Sequence, residues 1–431
     1  MPVPVTVAPP PSGAPAAGRT ASDLYLGRQP ILDRHENLVA FELLFRSSRS
    51  NGAQIHDDLV ATATVINHAF SELGVETVLG HFTGYINLSA SLLLSDVIEL
   101  LPKERVVLEL LEHVAINDTL ITRLRELREM GFRLALDDYL GEEDRYADVL
   151  GLVDVVKVEV QALAPAKLAE VTQRLRKWPV RLLAEKVDTK EQVERCIGLG
   201  YELFQGYYFA RPSVITRRRL SHAETAIMRL VGLVATDAST EDIEKVLKQN
   251  PDLSLNLLRL VNSVSVGATR RITSMREDVT LLGRSQLQRW LQLLMFTVSA
   301  DPSARFPSPL LILAATRGKL MELLCLAQGS GRKGPGDEAF LVGIMSLMTA
   351  LLGLPMEEIL QSLPVRPEVE AALLHRSGEL GELLRLTELV EQTDISAIDA
   401  QLERLPALDA TKINSAYVGA IEWANGIGDT A

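Results

Sequence analysis

The stretch RVVLELLEHVAINDTLITRLRELREMGFRLALDDY, residues 105–139, holds a complete strand, helix and strand in order. RVVLELLE is a short β-branched and apolar run, DTLITRLRELREM repeats its apolar residues at helical spacing, and FRLALDDY returns to a short apolar run. Gly131 suits the end of that helix, because glycine accepts the backbone conformations that close a helical C-terminus. A strand that passes through a helix into another strand implies parallel neighbours joined by a crossover.

The same rhythm extends on both sides. LVAFELLFR, GYINLSA, VDVVKVEV, VRLLAEKV and LFQGYYFA read as further strands, and TKEQVERCIGLG as another helix closed by glycine. About seven strands are expected, with no Gly-rich phosphate loop after the first, which favours a (β/α) TIM-like barrel over a doubly wound sheet. Beyond ARPSVITRRR the pattern turns to amphipathic helices such as EDIEKVLKQ and SQLQRWLQLLMFTV. The organisation expected is α/β plus all-α: a Pro/Ala-rich disordered tail over 1–22, a barrel over 23–212 and an all-helical domain over 213–431. QGSGRKGPGDE, residues 328–338, reads as a loop inside the helical domain.

Composition narrows the function classes. Of 431 residues 47% are hydrophobic and 23% charged, ordinary for a globular chain, and 44 basic against 56 acidic residues leave a net charge of -12. That balance speaks against direct DNA binding, which needs a basic face. No run approaches the ~18 apolar residues of a membrane helix, and the N-terminus lacks the basic and apolar regions of a signal peptide. Cys196 and Cys325 lie in no metal-ligand spacing. Reduced thiols and a cytoplasmic location are therefore expected.

In a parallel barrel, reactive groups gather at the C-terminal ends of the strands. Glu42, Asn87, Glu109, Asp137, Asp138, Lys157, Glu185 and Gln205 each interrupt an otherwise apolar run near such an end. Buried carboxylates without partners are unfavourable, so several on converging strands point to a shared acidic pocket. Oxygen donors in this number, without His or Cys, favour Mg²⁺ or Mn²⁺. Two such ions about 3.5 to 4 Å apart can clamp the attacking and leaving oxygens of a phosphodiester displacement. For the Asp137–Asp138 pair alone, capping of the next helix is a competing reading. Lys157 would orient the attacking water or neutralise phosphate charge.

These residues resemble a known family. RQPILDRHENLVAFELLFR is similar to the opening of the EAL domain, the cyclic-di-GMP phosphodiesterase barrel, with Glu42-Leu43-Leu44 in place of Glu-Ala-Leu. INLS, LELLE, LALDDY, VVKV, LLAEKVDT and FQGYYFARP follow in the family's order. The resemblance implies metal ligation by Glu42, Asn87, Glu109, Asp137, Asp138 and Glu185, catalytic roles for Lys157, Glu185 and Gln205 around the attacking water, and nucleotide contacts from Gln29 and Arg46. Two departures stand out. The segment after the aspartate pair reads YLGEEDRYADVL, one residue short of the family's Phe-Gly-Thr-Gly-Tyr-Ser-Ser loop pattern, and Lys186 stands where a glycine is expected.

LKQNPDLSLNLLRLVNSVSVG and ITSMREDVTLLGRSQLQRWLQLL resemble the HDOD domain, a relative of metal phosphohydrolases. With only His222 and His375 after residue 212, no metal site is expected there, and Asn262-Ser263 reads as a capping or helix-packing pair. The resemblance implies an EAL-HDOD bacterial signalling protein that binds cyclic-di-GMP or metal with weak or absent hydrolysis and meets protein partners through its HDOD half. The alternatives are an active phosphodiesterase producing pGpG and a pure scaffold. EAL barrels often pair, so a homodimer is implied as well.

Overall fold

The structure, a computed structural model, describes residues 24–47, 74–206, 222–235, 238–250, 253, 287–296, 309–329, 335–363, 365–392 and 394–428. The tail over 1–22 and the Asn262-Ser263 pair lie outside the described residues.

Eight strands close into a barrel in sequence order: β1 Leu24–Asp33, β2 Leu38–Ser47, β3 Thr83–Leu88, β4 Val106–Leu110, β5 Arg133–Leu136, β6 Val155–Glu159, β7 Arg181–Glu185 and β8 Leu203–Phe204. From β2 to β8 all pairings are parallel, whereas β1 runs antiparallel to both β2 and β8. Sequence patterning anticipates seven strands and a parallel barrel. It misses β1 because LYLGRQPILD carries a glycine and a proline inside the run. Pro30 is tolerated because β1 meets β8 only at Leu32 and Asp33, so no partner on that side needs its missing N–H.

Helices Asp118–Glu129, Pro165–Leu175 and Lys190–Leu199 cover the outside. Asn117 caps the first by accepting from the Leu120 N–H at 2.9 Å, and Thr189 and Gln192 form a reciprocal capping box on the third. Gly200 closes the third helix at φ 92°, a left-handed conformation that favours glycine. Leu120, Leu124, Leu127, Val171 and Leu175 on these helices pack with Leu108, Leu134, Val156 and Ala184 of the strands as one core.

The helical half has a separate core built from Ile227, Leu291, Leu320, Phe340, Leu384 and Ile421, among others. The expected loop over 328–338 ends early, since a helix starts at Pro335 and carries Asp337 and Glu338 in its first turn, where acids suit the helix dipole. The last helix, Ala410–Gly428, lies against β1 and the short helix Val75–Leu79. Asn414 Oδ1 accepts from the Leu26 N–H at 3.2 Å, so this helix satisfies a donor on the edge of β1 that β8 leaves unpaired.

Candidate functional site

Alternation along the strands builds the site. Side chains two apart share a face, so each strand places one residue low in the barrel and a second nearer the mouth. Ile31, Ala40, Tyr85, Val107, Ala135, Val155, Leu183 and Leu203 form their own buried cluster in the lower interior. Two positions further toward the mouth stand, in the same order, Gln29, Glu42, Asn87, Glu109, Asp137, Lys157, Glu185 and Gln205. All eight strands thus contribute to one polar layer.

That layer is connected. Lys157 Nζ lies 2.8 Å from Asp137 Oδ1, 2.9 Å from Glu109 Oε1, 3.0 Å from Glu185 Oε1 and 3.4 Å from Glu42 Oε2. Glu42 also accepts from Asn87 Nδ2 and Gln205 Nε2, each at 2.6 Å, and Gln205 Nε2 donates to Gln29 Oε1 at 2.8 Å. Glu109 and Lys157 are 0% exposed. Burial pulls the Lys157 ammonium down, yet Glu109, Glu185, Glu42 and Asp137 together push it well above its ordinary value. Burial also acts against the ionised form of Glu42, but Lys157 and the hydrogen bonds from Gln205 and Asn87 outweigh it and hold that carboxyl below the usual range. Glu109 and Asp137 are raised by burial, which Lys157 only partly opposes, and Glu185 is pushed up by burial to about 8.

Asp137 and Asp138 do not cap a helix. The next helix, Glu143–Leu150, begins five residues after Asp138 and has no side-chain cap at Glu142. Asp138 holds a left-handed φ of 43°. Its carboxylate, that of Asp137 and that of Glu112 lie within 4.8 Å of one another. The short segment behind the pair is tied to Glu112 through the backbone: Arg145 Nη2 donates to the Glu112 carbonyl at 2.6 Å and the Tyr146 hydroxyl at 3.0 Å. Tyr139 packs edge-on against Tyr146 with ring centroids 5.8 Å apart.

Glu112, Glu159 and Lys186 complete the mouth and fall outside the strand-end reading. Lys186 Nζ donates to Glu159 Oε2 at 2.6 Å. Lys186 reads only as a departure from the EAL pattern, and Glu159 is signalled only by its position two residues beyond Lys157 on the same inward face. Arg46 belongs to β2, but its side chain lies outside the described residues.

The donor set fits hard divalent cations. Glu109 Oε2, Glu185 Oε2, Asn87 Oδ1 and Gln205 Oε1 are buried oxygens without a hydrogen-bond partner among the described residues, while Glu109 Oε1 and Asp137 Oδ1 share the one ammonium of Lys157. Such oxygens call for a cation or a donor. Glu42, Asn87, Glu109 and Glu185 line the inner part, Glu112 and Asp138 the outer part, and Asp137 belongs to both.

A closed barrel with an acidic, oxygen-rich mouth, followed by a helical module, defines the class. The EAL domain family matches residues 18–212 and the HDOD domain family residues 220–346. Cyclic di-GMP phosphodiesterase CdgJ of Vibrio cholerae is 30% identical over 407 residues, covering 94% of this chain and 93% of that protein. The uncharacterized protein YuxH of Bacillus subtilis is 29% identical over 411 residues, covering 94% and 99%. The chain belongs to the family of bacterial signalling proteins that join an EAL domain to an HDOD domain. Among solved structures, Klebsiella pneumoniae BlrP1 with manganese and cyclic di-GMP is similar at 23% identity and a TM-score of 0.39, covering 46% of this chain and 57% of that one. No helix among the described residues is long and apolar enough to cross a membrane.

Proposed function

We propose that this chain works in cyclic-di-GMP signalling in the cytoplasm: the barrel binds the dinucleotide together with divalent cations, hydrolysis is weak or absent, and the HDOD half passes the bound state to protein partners. The observation that carries the reading is the convergence of one polar side chain from every strand onto a single acidic layer. Mg²⁺ or Mn²⁺, if held by these oxygens, would supply neutralisation of phosphate charge and a more acidic water. Glu42, Asn87, Glu109, Asp137, Asp138 and Glu185 supply the oxygens. Gln205 and Gln29, hydrogen-bonded to each other, orient polar groups on the Glu42 side of the mouth. Lys157 keeps the inner carboxylates in place and, once cations share them, can direct its ammonium toward water or phosphate.

A second reading, an active phosphodiesterase that opens cyclic-di-GMP to pGpG, is favoured by two observations. The segment after Asp138, although short, remains tied to Glu112, and the relative CdgJ carries that activity in its name. Incubating the full chain with cyclic-di-GMP and Mn²⁺, with binding followed by calorimetry and product by chromatography, separates the two. Binding with negligible pGpG supports the first reading. Metal-dependent pGpG at an enzyme-like rate replaces it with the second, and binding of neither ligand rejects both.

A further inference from the structure

Lys186 holds φ 52° at the end of β7, a left-handed conformation that an unbranched cationic residue rarely adopts. For a residue with a Cβ this conformation is strained relative to glycine. Three hydrogen bonds impose the turn. The Val160 N–H donates to the Glu185 carbonyl at 3.2 Å, Gln161 Nε2 to the Lys186 carbonyl at 2.7 Å, and the Val187 N–H to the Gln205 carbonyl at 3.1 Å. The backbone is thus fixed by both neighbouring strands, and the side chain that occupies it is the variable. Strain kept at the rim of a site calls for a functional reason.

The side chain itself supplies one. Glu159 is paired in register with Glu185 and stands one inward step above Lys157, so its carboxylate marks the mouth of the barrel. The Lys186 ammonium rests on that carboxylate while its side chain stays 58% exposed, long and free to re-aim. Asp138, on the other flank of β6, is within its electrostatic reach. Lys157 lies one inward step deeper, against four acidic side chains. Glu112, Asp138 and Glu159 set acidic groups around this mouth, and among the described residues Lys186 is a cation that reaches both Glu159 and Asp138.

Building on the proposed cyclic-di-GMP reading, we propose that Lys186 is a ligand-binding residue: its ammonium leaves Glu159 and pairs with a phosphodiester oxygen of the bound dinucleotide.

The test is calorimetric titration of the full chain with cyclic-di-GMP in Ca²⁺, at low and at about 0.5 M salt, where exposed charge pairs are largely screened. Lys186→Gly, which relaxes the backbone and removes the charge, is expected to raise Kd about tenfold at low salt, the worth of one charge-assisted hydrogen bond. The gap should close at high salt. Lys186→Arg should stay within about threefold of the parent, since the charge is kept. Binding of Mn²⁺ alone should be the same in all three, which a merely structural role would not predict. Equal Kd values for the parent and Lys186→Gly overturn the assignment of Lys186 and leave the ligand reading standing. A parent that binds no cyclic-di-GMP in either Ca²⁺ or Mn²⁺ overturns both. Should Lys186→Gly lose Mn²⁺ binding, Lys186→Gln, which keeps the stem of the side chain, takes its place under the same criteria.

Discussion

Lys157 Nζ and Glu109 Oε1 stand 2.9 Å apart with both residues 0% exposed, so the centre of the barrel is held by an ion pair out of contact with water. Removing one partner of such a pair leaves charge buried without compensation. Here one ammonium serves four acidic side chains, and its loss leaves them crowded together without the cation that draws them in.

Lys157→Met is therefore expected to destabilise the metal-free chain by about 3 kcal/mol or more. Mn²⁺ should recover much of this, because a divalent cation replaces the missing positive charge among the same oxygens. Thermal unfolding in EDTA and in Mn²⁺ measures both effects. A variant as stable as the parent in EDTA would show that the ammonium does not hold the layer together.

Burial pushes Glu185 up to about 8 from an ordinary 4.5. Between these values the folded, metal-free chain holds a proton that the unfolded chain has released, so stability falls as pH rises through this window and the loss is complete above about 8. Glu185→Gln has no proton to release at this position. Its stability in EDTA should decline less between about pH 5.5 and 8, by up to ~1.4 kcal/mol per pH unit. Urea denaturation at stepped pH decides, and parallel curves for variant and parent would count against the assignment.

How much of this is legible in the sequence depends on which force places each residue. Glu42, Asn87, Glu109 and Asp137 can be read out because each breaks an apolar strand at its mouth end, where the fold gives polar atoms a partner. Strand β1 is hidden because Gly27 and Pro30 read as turn signals, and it is antiparallel pairing with β2 along its length that makes LYLGRQPILD a strand. Glu112 and Lys186 come into view only through the family resemblance and not through the strand pattern, for another reason. They lie beyond the strands, where period-two alternation ends and tertiary hydrogen bonds set direction, so the tie from Arg145 and Tyr146 to Glu112 has no local signature.

That tie gives a prediction of its own. Tyr146→Phe removes the hydroxyl that donates to the Glu112 carbonyl at 3.0 Å, a bond worth about 1 kcal/mol to stability. Arg145→Ala removes the companion donor. Stability should change little, whereas the double variant should bind Mn²⁺ more weakly, by about tenfold or more, because Glu112 is no longer held beside Asp137 and Asp138. Mn²⁺ titration followed by electron paramagnetic resonance reads the affinity directly, and unchanged binding would remove Glu112 from the metal environment.

The contact between the two halves can be tested in the same way. Arg28 follows Gly27 on β1 and is buried, with Nη1 donating to the Val78 carbonyl at 3.3 Å and to Asn425 Oδ1 at 3.4 Å and its guanidinium 4.0 Å over the Phe41 ring. Burial lowers its pKa to about 10, opposed by Tyr417 of the last helix. Asn425 also donates to the Thr77 carbonyl at 3.1 Å, and a Cβ at Gly80, which holds φ 56°, would lie 3.1 Å from the Asn425 side chain. Asn425→Leu takes an acceptor from a buried cation and a donor from a carbonyl, so a loss of about 2 to 3 kcal/mol is expected. Gly80→Ala crowds the same amide from the barrel side and adds left-handed strain, with a smaller loss of about 1 to 2 kcal/mol. Because both act on one contact, their combined effect should fall short of the sum of the two. A double-mutant cycle by urea denaturation checks this, and strict additivity would mean that Asn425 and Gly80 do not share the junction through which the C-terminal helix meets the strand carrying Gln29.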